Sequence, residues 1–260
     1  MTRAAVASAL FLAAALSPFS SFFAVGEAHK GVTAKHTYNS DVYPIFASRC
    51  AHCHVGGGVG PMSLVSYEEA FPWAESLREE LLNNGEADGE DYVKAAHSSL
   101  TAGELDVVLD WAVGGTPQGD PSKAPPVLSL KNTWAGAPPD LVLRPAAPLT
   151  IPADAMETTH EFVLPAGSAR ERPLKAIDLL PGTPSVVRDV IVSIRTPGTG
   201  TRVLGRWTPR QIPAAVVMAA GTTLPPSADI IMRVHYKKTW KYEGQALTDQ
   251  SSLGIYFADK

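Results

Sequence analysis

The pattern of apolar and polar positions changes character three times along the chain. Residues 4–16, AAVASALFLAAAL, are an uncharged run, apolar except for Ser8, behind a single Arg3; Pro18 breaks it, and serines and small residues follow to Ala28. From Asp41 to Gly115 the apolar residues recur at helical spacing. Asn39 or Ser40 is positioned to cap a first helix through Ile45, Phe46 and Ala47. Ser66-Tyr67-Glu68-Glu69 and Thr101-Ala102-Gly103-Glu104 are capping boxes. They introduce the stripes Phe71, Trp73, Ala74, Leu77, Leu81, Leu82 and Leu105, Val108, Leu109, Ala112, Val113. Pro72 is expected to kink the second helix, and Gly114-Gly115 to end the third.

After Thr116 the helical period is lost. TPQGDPSKAPP, residues 116–126, is polar and Pro-rich and predicts a linker. Beyond it, short β-rich runs alternate with Gly/Pro turns. They lie at Leu141–Leu143, Glu161–Leu164, Lys175–Leu180, Val186–Ile194, Ala214–Met218, Asp229–Tyr236 and Leu253–Phe257. Such a series predicts an antiparallel β-sandwich or jelly roll over residues 127–260.

Length and charge bound the function. A chain of 260 residues holds one large domain or two smaller ones, and 45% hydrophobic residues suffice for cores. The net charge of −4 comes without a basic run, so nucleic acid is not an expected partner. The N-terminal run has the charged start, apolar middle and small-residue exit of a secretory signal, with cleavage expected after Gly26 or Ala28. Residues 1–28 are therefore assigned to a signal peptide and the protein to the periplasm or the outer face of the cytoplasmic membrane.

Export sharpens the meaning of the cysteines. There are two, Cys50 and Cys53, and His54 follows directly. A disulfide between them closes a tiny loop and stabilises little. A zinc site needs further ligands, and no second C-x-x-C exists. C-x-x-C-H is the attachment pattern for c-type haem. Two thiols add to the haem vinyl groups, and the next histidine lies under the iron as its proximal ligand. One covalent haem is the expected cofactor, held by Cys50, Cys53 and His54.

The surroundings of this motif resemble the small c-type cytochromes. Gly56 to Gly60 followed by Pro61-Met62-Ser63-Leu64 is similar to their G-P-x-L loop, and a last helix ending in a Trp and glycines is similar to their C-terminal helix. The resemblance spans about Thr37 to Gly115 and implies an all-α cytochrome c domain over residues 37–115. It further implies that the Pro61 carbonyl accepts a hydrogen bond from the proximal histidine and that Leu64 packs on the haem. Two candidates stand for the sixth iron ligand. His97 lies in the loop before the last helix, and Met62 lies eight residues after His54 on the loop that Pro61 holds on the proximal side. His97 is preferred. His29 and His36 fall in the expected tail and read as solvated.

A second resemblance covers Trp134 to Phe257. WAGAPPDLVL, LLPGTPSVVRDVIVSIR, LPPSADIIMRVHYKK and SSLGIYF are similar to the first jelly-roll subdomain of the copper type II, ascorbate-dependent monooxygenases, whose bacterial members often carry a cytochrome c domain in front. That resemblance implies a three-histidine copper site. Here His235, in Val234-His235-Tyr236, keeps one ligand, while Arg188-Asp189 replace the adjacent pair. Arg does not bind copper, and one Asp with one His is a poor site, so Arg188, Asp189 and His235 read as a degenerate copper site and copper is not expected. His160 reads as a solvent-facing strand histidine. Glu86, Asp88, Glu90 and Asp91 read as a solvated face that would also steer a basic redox partner. Trp207, Tyr236, Trp240 and Tyr242 read as core and rim packing, with Trp240 and the neighbouring Lys237, Lys238 and Lys241 as a docking surface.

The expected fold class is thus multidomain, an all-α cytochrome c domain followed by an antiparallel β-sandwich. The expected function is electron transfer by an exported mono-haem protein, more an electron carrier than a self-sufficient enzyme. Its expected partner is a redox protein or a membrane-associated electron-transfer complex, with no small-molecule substrate. Two alternatives remain open on the sequence: a copper-dependent monooxygenase or its electron-feeding subunit, and a structural subunit of a larger redox assembly.

Overall fold

The computed structural model describes residues 33–83, 100–209 and 215–258. Within it Val32–Lys260 forms one compact unit. Its helical pieces are short. A one-turn α1 (Tyr43–Ile45) is flanked by wide π-helical turns at Tyr38–Val42 and Phe46–Cys50. The first turn begins before Asn39. Its start is fixed by Asp41, whose carboxylate accepts from the Thr37 N–H at 2.7 Å and from the Thr37 hydroxyl at 3.3 Å.

The second helical stretch is interrupted where Pro72 sits. α2 (Tyr67–Ala70) gives way to a 3-10 turn at Phe71–Trp73, and α3 (Ala74–Leu82) resumes after it. Ser66 caps α2 by accepting from the Glu69 N–H at 3.3 Å. α4 (Ala102–Val113) carries the full reciprocal box: the Thr101 N–H donates to the Glu104 carboxylate at 2.7 Å, and the Glu104 N–H donates to the Thr101 hydroxyl at 3.2 Å. Trp111 of α4 is fully buried and meets Phe46 edge-on at 6.2 Å. Around this contact Tyr38, Val42, Leu64, Val65, Ala70 and Val108 close a small aromatic-rich core.

The rest is antiparallel sheet. The strands are β1 (Leu141–Leu143), β2 (Leu149–Ile151), β3 (Glu157–Pro165), β4 (Arg172–Leu180), β5 (Val187–Thr196), β6 (Gly200–Trp207), β7 (Val216–Val217), β8 (Thr223–Leu224), β9 (Asp229–Lys237), β10 (Leu247–Asp249) and β11 (Ser252–Phe257). One sheet runs β1-β11-β4-β7, with β8 beside β4; a second runs β3-β9-β5-β6; β10 pairs with β2. A single core draws side chains from both large sheets, among them Ile177, Leu179, Val190, Val192, Met232, Val234, Leu253 and Ile255. Each such burial contributes about 1.5–3 kcal/mol. The β-branched run of β5 fits this position, since the strand lies between β6 and β9 and is buried along most of its length.

These observations correct the expected fold class. Residues 37–115 do not build an all-α cytochrome c domain: the α-helices described are 3, 4, 9 and 12 residues long, and antiparallel sheet dominates the chain. Pro44, Pro72 and the Gly-rich stretch 56–60 divide the helical spacing into pieces too short to form a bundle. The picture of a cytochrome c domain fused to a separate monooxygenase-like β-sandwich falls with it. Residues 116–126 also differ from a free linker. The N–H groups of Tyr38 and Asn39 donate to the carbonyls of Pro117 at 2.9 Å and Gln118 at 3.0 Å. The Asn39 amide donates to the Asp120 carbonyl at 2.9 Å, and the Tyr43 hydroxyl to the Pro126 carbonyl at 2.8 Å. The expected signal peptide, residues 1–28, the acidic stretch Glu86 to Asp91 and His97 lie outside the described residues.

Candidate functional site

The C-x-x-C-H motif lies where the turn Phe46–Cys50 ends. The N–H groups of Cys53 and His54 both donate to the Cys50 carbonyl, at 3.0 and 2.8 Å, folding the motif into one tight turn. The following loop is tied back onto it. The Gly60 N–H donates to the Cys53 carbonyl at 2.8 Å, and the Leu64 N–H to the His54 carbonyl at 2.9 Å. These bonds require close approach. A Cβ on Gly58 would lie 2.4 Å from the Cys53 carbonyl oxygen, and one on Gly60 would lie 2.7 Å from His54 Nδ1. The glycines therefore make room for the histidine ring. Tyr38 anchors the end of the loop by donating its hydroxyl to the Leu64 carbonyl at 3.0 Å.

His54 Nδ1 lies 3.1 Å from the Met62 carbonyl oxygen. The acceptor is thus one residue later than the Pro61 carbonyl expected from sequence. The bonds from Gly60 and Leu64 bracket the loop, and Met62 is the residue they centre over the ring. This contact fixes the tautomer: an Nδ1–H donating to a carbonyl leaves Nε2 with its lone pair. It also places Met62 on the side of His54, with its side chain packed against the helical core, as is the fully buried Leu64.

Burial pushes the imidazole of His54 below its ordinary range; the Met62 hydrogen bond opposes this, and the charges of His52 and Arg188 add to it. The neutral ring is the ligating form. Cys50 and Cys53 are thiols, not a disulfide. Cys53 is buried and Cys50 partly so, and burial, with smaller contributions from Cys53 and Glu104, pushes the Cys50 thiol up to about 12.

A covalently held haem fits this donor set. The two thiols sit one turn apart, the imidazole is neutral with Nε2 available, and glycines clear the space that a side chain on Gly60 would fill. Ser63, in the same loop, is buried with its hydroxyl unpartnered among the described residues.

The residues read as a degenerate copper site do not converge on a point. β5 and β9 pair Val187 with Tyr236 and Asp189 with His235, leaving Arg188 as a bulge between them. Arg188 turns to the helical part and donates to the Val59 carbonyl in the Gly-rich loop. Asp189, nearly buried, faces His235 Nδ1 at 2.9 Å and accepts from Arg206 Nε at 3.1 Å. His235 Nε2 faces the Glu157 carboxylate at 2.7 Å, and the Lys237 ammonium lies 3.6 Å from the same group. The carboxylates therefore stand at opposite edges of the imidazole, which links β3, β9, β5 and β6 by a chain of side-chain contacts. His235 and Lys237 hold the Glu157 carboxyl below the usual range. Among the described residues no group of three or more His, Cys, Asp or Glu side chains is arranged to hold a metal ion.

Other predicted positions are simpler. His160 lies on exposed β3 with its ring edge-on to Phe162 at 4.6 Å. His36, expected in a solvated tail, lies 3.8 Å from the Asp41 carboxylate. Trp207 and Tyr236 are buried, whereas Trp240 is exposed and lies 6.1 Å from Trp73. Lys238, expected on the surface, is buried with its ammonium donating to the carbonyls of Pro152, Ala153 and Gln245. Sequence reasoning missed the Arg188–Val59 bridge; its one visible signal is a charged Arg-Asp pair inside an otherwise β-branched strand.

No protein-family model matches the chain, and no curated protein is similar to it. Neither the cytochrome resemblance nor the monooxygenase resemblance is therefore sustained as a family assignment.

Proposed function

We propose that the protein carries one haem that Cys50 and Cys53 would hold covalently, with His54 as an iron ligand, and serves in electron transfer outside the cytoplasm. The observation that carries this reading is the His54–Met62 contact. It aims a neutral imidazole, with Nε2 available, from the residue directly after two closely spaced thiols. Cys50 and Cys53 would supply the sulfurs of two thioether bonds to the haem vinyl groups, additions that would consume no oxidant. When bound, the haem supplies a one-electron iron couple. The chain's own residues orient it: Met62 fixes the ring of His54, and Gly58 and Gly60 let the loop close against the motif. The 3-10 turn Trp240–Tyr242 after β9 supplies one aromatic and cationic element, exposed Trp240 beside Lys241, on which a redox protein would dock.

Protein made in a host competent for c-type haem attachment tests this. The haem should survive acid–acetone extraction and migrate with the polypeptide on a denaturing gel. The double variant Cys50→Ala, Cys53→Ala should lose it, and His54→Ala should lose the low-spin spectrum. Haem that extracts freely from the wild-type protein would refute the proposal.

A further inference from the structure

The second sheet ends on β3, whose outer edge presents its backbone in a defined phase. The strand is 9 residues long and, among the described residues, pairs only with β9. Its two ends fix which residues turn where. The Lys238 N–H donates to the Met156 carbonyl at 2.8 Å, and the Ala166 N–H to the Ala228 carbonyl at 3.2 Å. Antiparallel bonding alternates, and the β3–β9 register runs unbroken between these rungs. Thr158, His160, Phe162 and Leu164 therefore bond β9, while Glu157, Thr159, Glu161 and Val163 turn both backbone groups to the open edge. Such an edge is a template for another strand, and proline closes β3 only at its last residue. A groove of about 400 Å³ separates residues 161–165 from residues 143–147. The facing segment does not fill it: Pro145 and Pro148 have no N–H to donate, and the Pro145 carbonyl already accepts from the Gln250 amide at 2.8 Å.

Charge identifies the occupant. In register, Glu161 stands opposite Arg233, Thr159 opposite His235 and Glu157 opposite Lys237. The acidic column of β3 thus has a basic column on one side and an open edge on the other. A second copy paired about the strand centre would set Glu161 against its own counterpart, a like-charge rung. Arg144 lines the groove and disfavours a cation pointing inward, where Leu143 and Leu164 present apolar surface. We propose that the edge of β3 binds an extended segment of a partner protein by strand addition, with Lys or Arg at alternate outward positions and apolar residues between them.

The test titrates the protein into fluorescein-labelled acetyl-Lys-Val-Lys-Val-Lys-Val-amide and follows anisotropy. Saturable binding should appear. The Glu-Val counterpart should bind at least about fivefold more weakly, and added salt should narrow the gap. N-methylation locates the backbone bonds. Peptide residues that bond Glu161 and Val163 share their outward face, so methylating the Lys amides should abolish binding and methylating the Val amides should spare it. Val163→Pro removes an open-edge N–H without touching the β9 ladder and should weaken binding about fivefold or more. Val163→Thr keeps that N–H and should bind like wild type. The assignment is overturned by no saturable binding up to about 1 mM, by a Glu-Val peptide that binds as well, or by equal loss on methylating either set of amides. A concentration-dependent dimer that Val163→Pro dissolves would give the edge to a second copy and overturn it too. If Val163→Pro does not accumulate folded, the methylated peptides carry the test on the wild-type protein.

Discussion

Replacing Tyr236 by phenylalanine removes one oxygen from the interior and should cost about 2 kcal/mol at neutral pH. Tyr236 is 1% exposed and its hydroxyl donates to the Asp249 carboxylate at 2.9 Å. Asp249 is equally buried and also accepts from the N–H groups of Thr183 and Ser251 and from the Ser251 hydroxyl. A hydrogen bond to a charged group contributes about 1.5–3 kcal/mol, and the three remaining donors keep the loss toward the lower half of that range. For a unit of this size the melting temperature should fall by about 4–8 °C. Alkaline pH then separates this cause from simple loss of packing. Burial, and for Tyr236 the Asp249 charge, push the phenols of Tyr38 and Tyr236 far above their usual range. In the unfolded chain both ionise near pH 10. The folded state therefore holds more protons above that pH, and its stability falls as pH rises. At pH 11 each buried tyrosine should have cost the wild type about 1.4 kcal/mol. Tyr236→Phe escapes one of these losses, so its deficit should shrink from about 2 to about 0.6 kcal/mol. Urea unfolding followed by far-ultraviolet circular dichroism at pH 7 and pH 11 reads both values. An equal deficit at the two pH values would refute the reasoning.

Two further predictions concern the histidines. Gly60→Ala should displace the His54 ring, because its Cβ would lie 2.7 Å from Nδ1 and 2.9 Å from the Cys53 carbonyl oxygen. Overpacking of this kind costs about 1–3 kcal/mol, and covalent haem per polypeptide should drop, whereas Gly56→Ala, which meets nothing within 4 Å, should load normally; equal loading of both would contradict the cradle. His235→Ala should raise the Glu157 carboxyl from its depressed value toward the ordinary carboxylate range, measured by carbon-detected NMR titration. The stability that Glu157 adds is present above its unfolded pKa and lost as pH falls through the folded one. With the side chain 49% exposed, that contribution is strongly screened. A carboxyl that titrates identically in both proteins would remove His235 as the cause.

Local signals in the sequence were informative where one residue type does one job. The Thr101 box fixes the start of α4, and Pro72 marks the break between α2 and α3. Leu141–Leu143 coincides with β1, and Leu253–Phe257 nearly so with β11. Longer-range relations were not legible. Apolar stripes at helical spacing say that a face is buried, not that the pieces join into an all-α domain. The stripe after Ser66 is split by a 3-10 turn, and the first helix is opened into π turns. Around the motif, Cys50, Cys53 and His54 could be named as candidates from their spacing, but the choice of Met62 over Pro61 as the partner of His54 depends on the bonds from Gly60 and Leu64. Arg188 read as a lost ligand because its bulge, and the loop it reaches, exist only once the strands pair.

The bonded strap of residues 116–126 governs how the protein divides. Besides the contacts to Tyr38, Asn39 and Tyr43, the Tyr67 hydroxyl donates to the Thr116 carbonyl at 2.9 Å and the Trp111 indole N–H to the Pro117 carbonyl at 3.2 Å. Excision at Gly115, where the helical pattern ends, would strip polar partners at once from four of these side chains, three of them aromatic, and from the backbone N–H groups of Tyr38 and Asn39. The smallest fragment that keeps them runs from before Thr37 to beyond Pro126. Within the intact chain the same strap acts as a seam, so a protease that finds the Pro-rich stretch meets backbone already engaged rather than a loose tether.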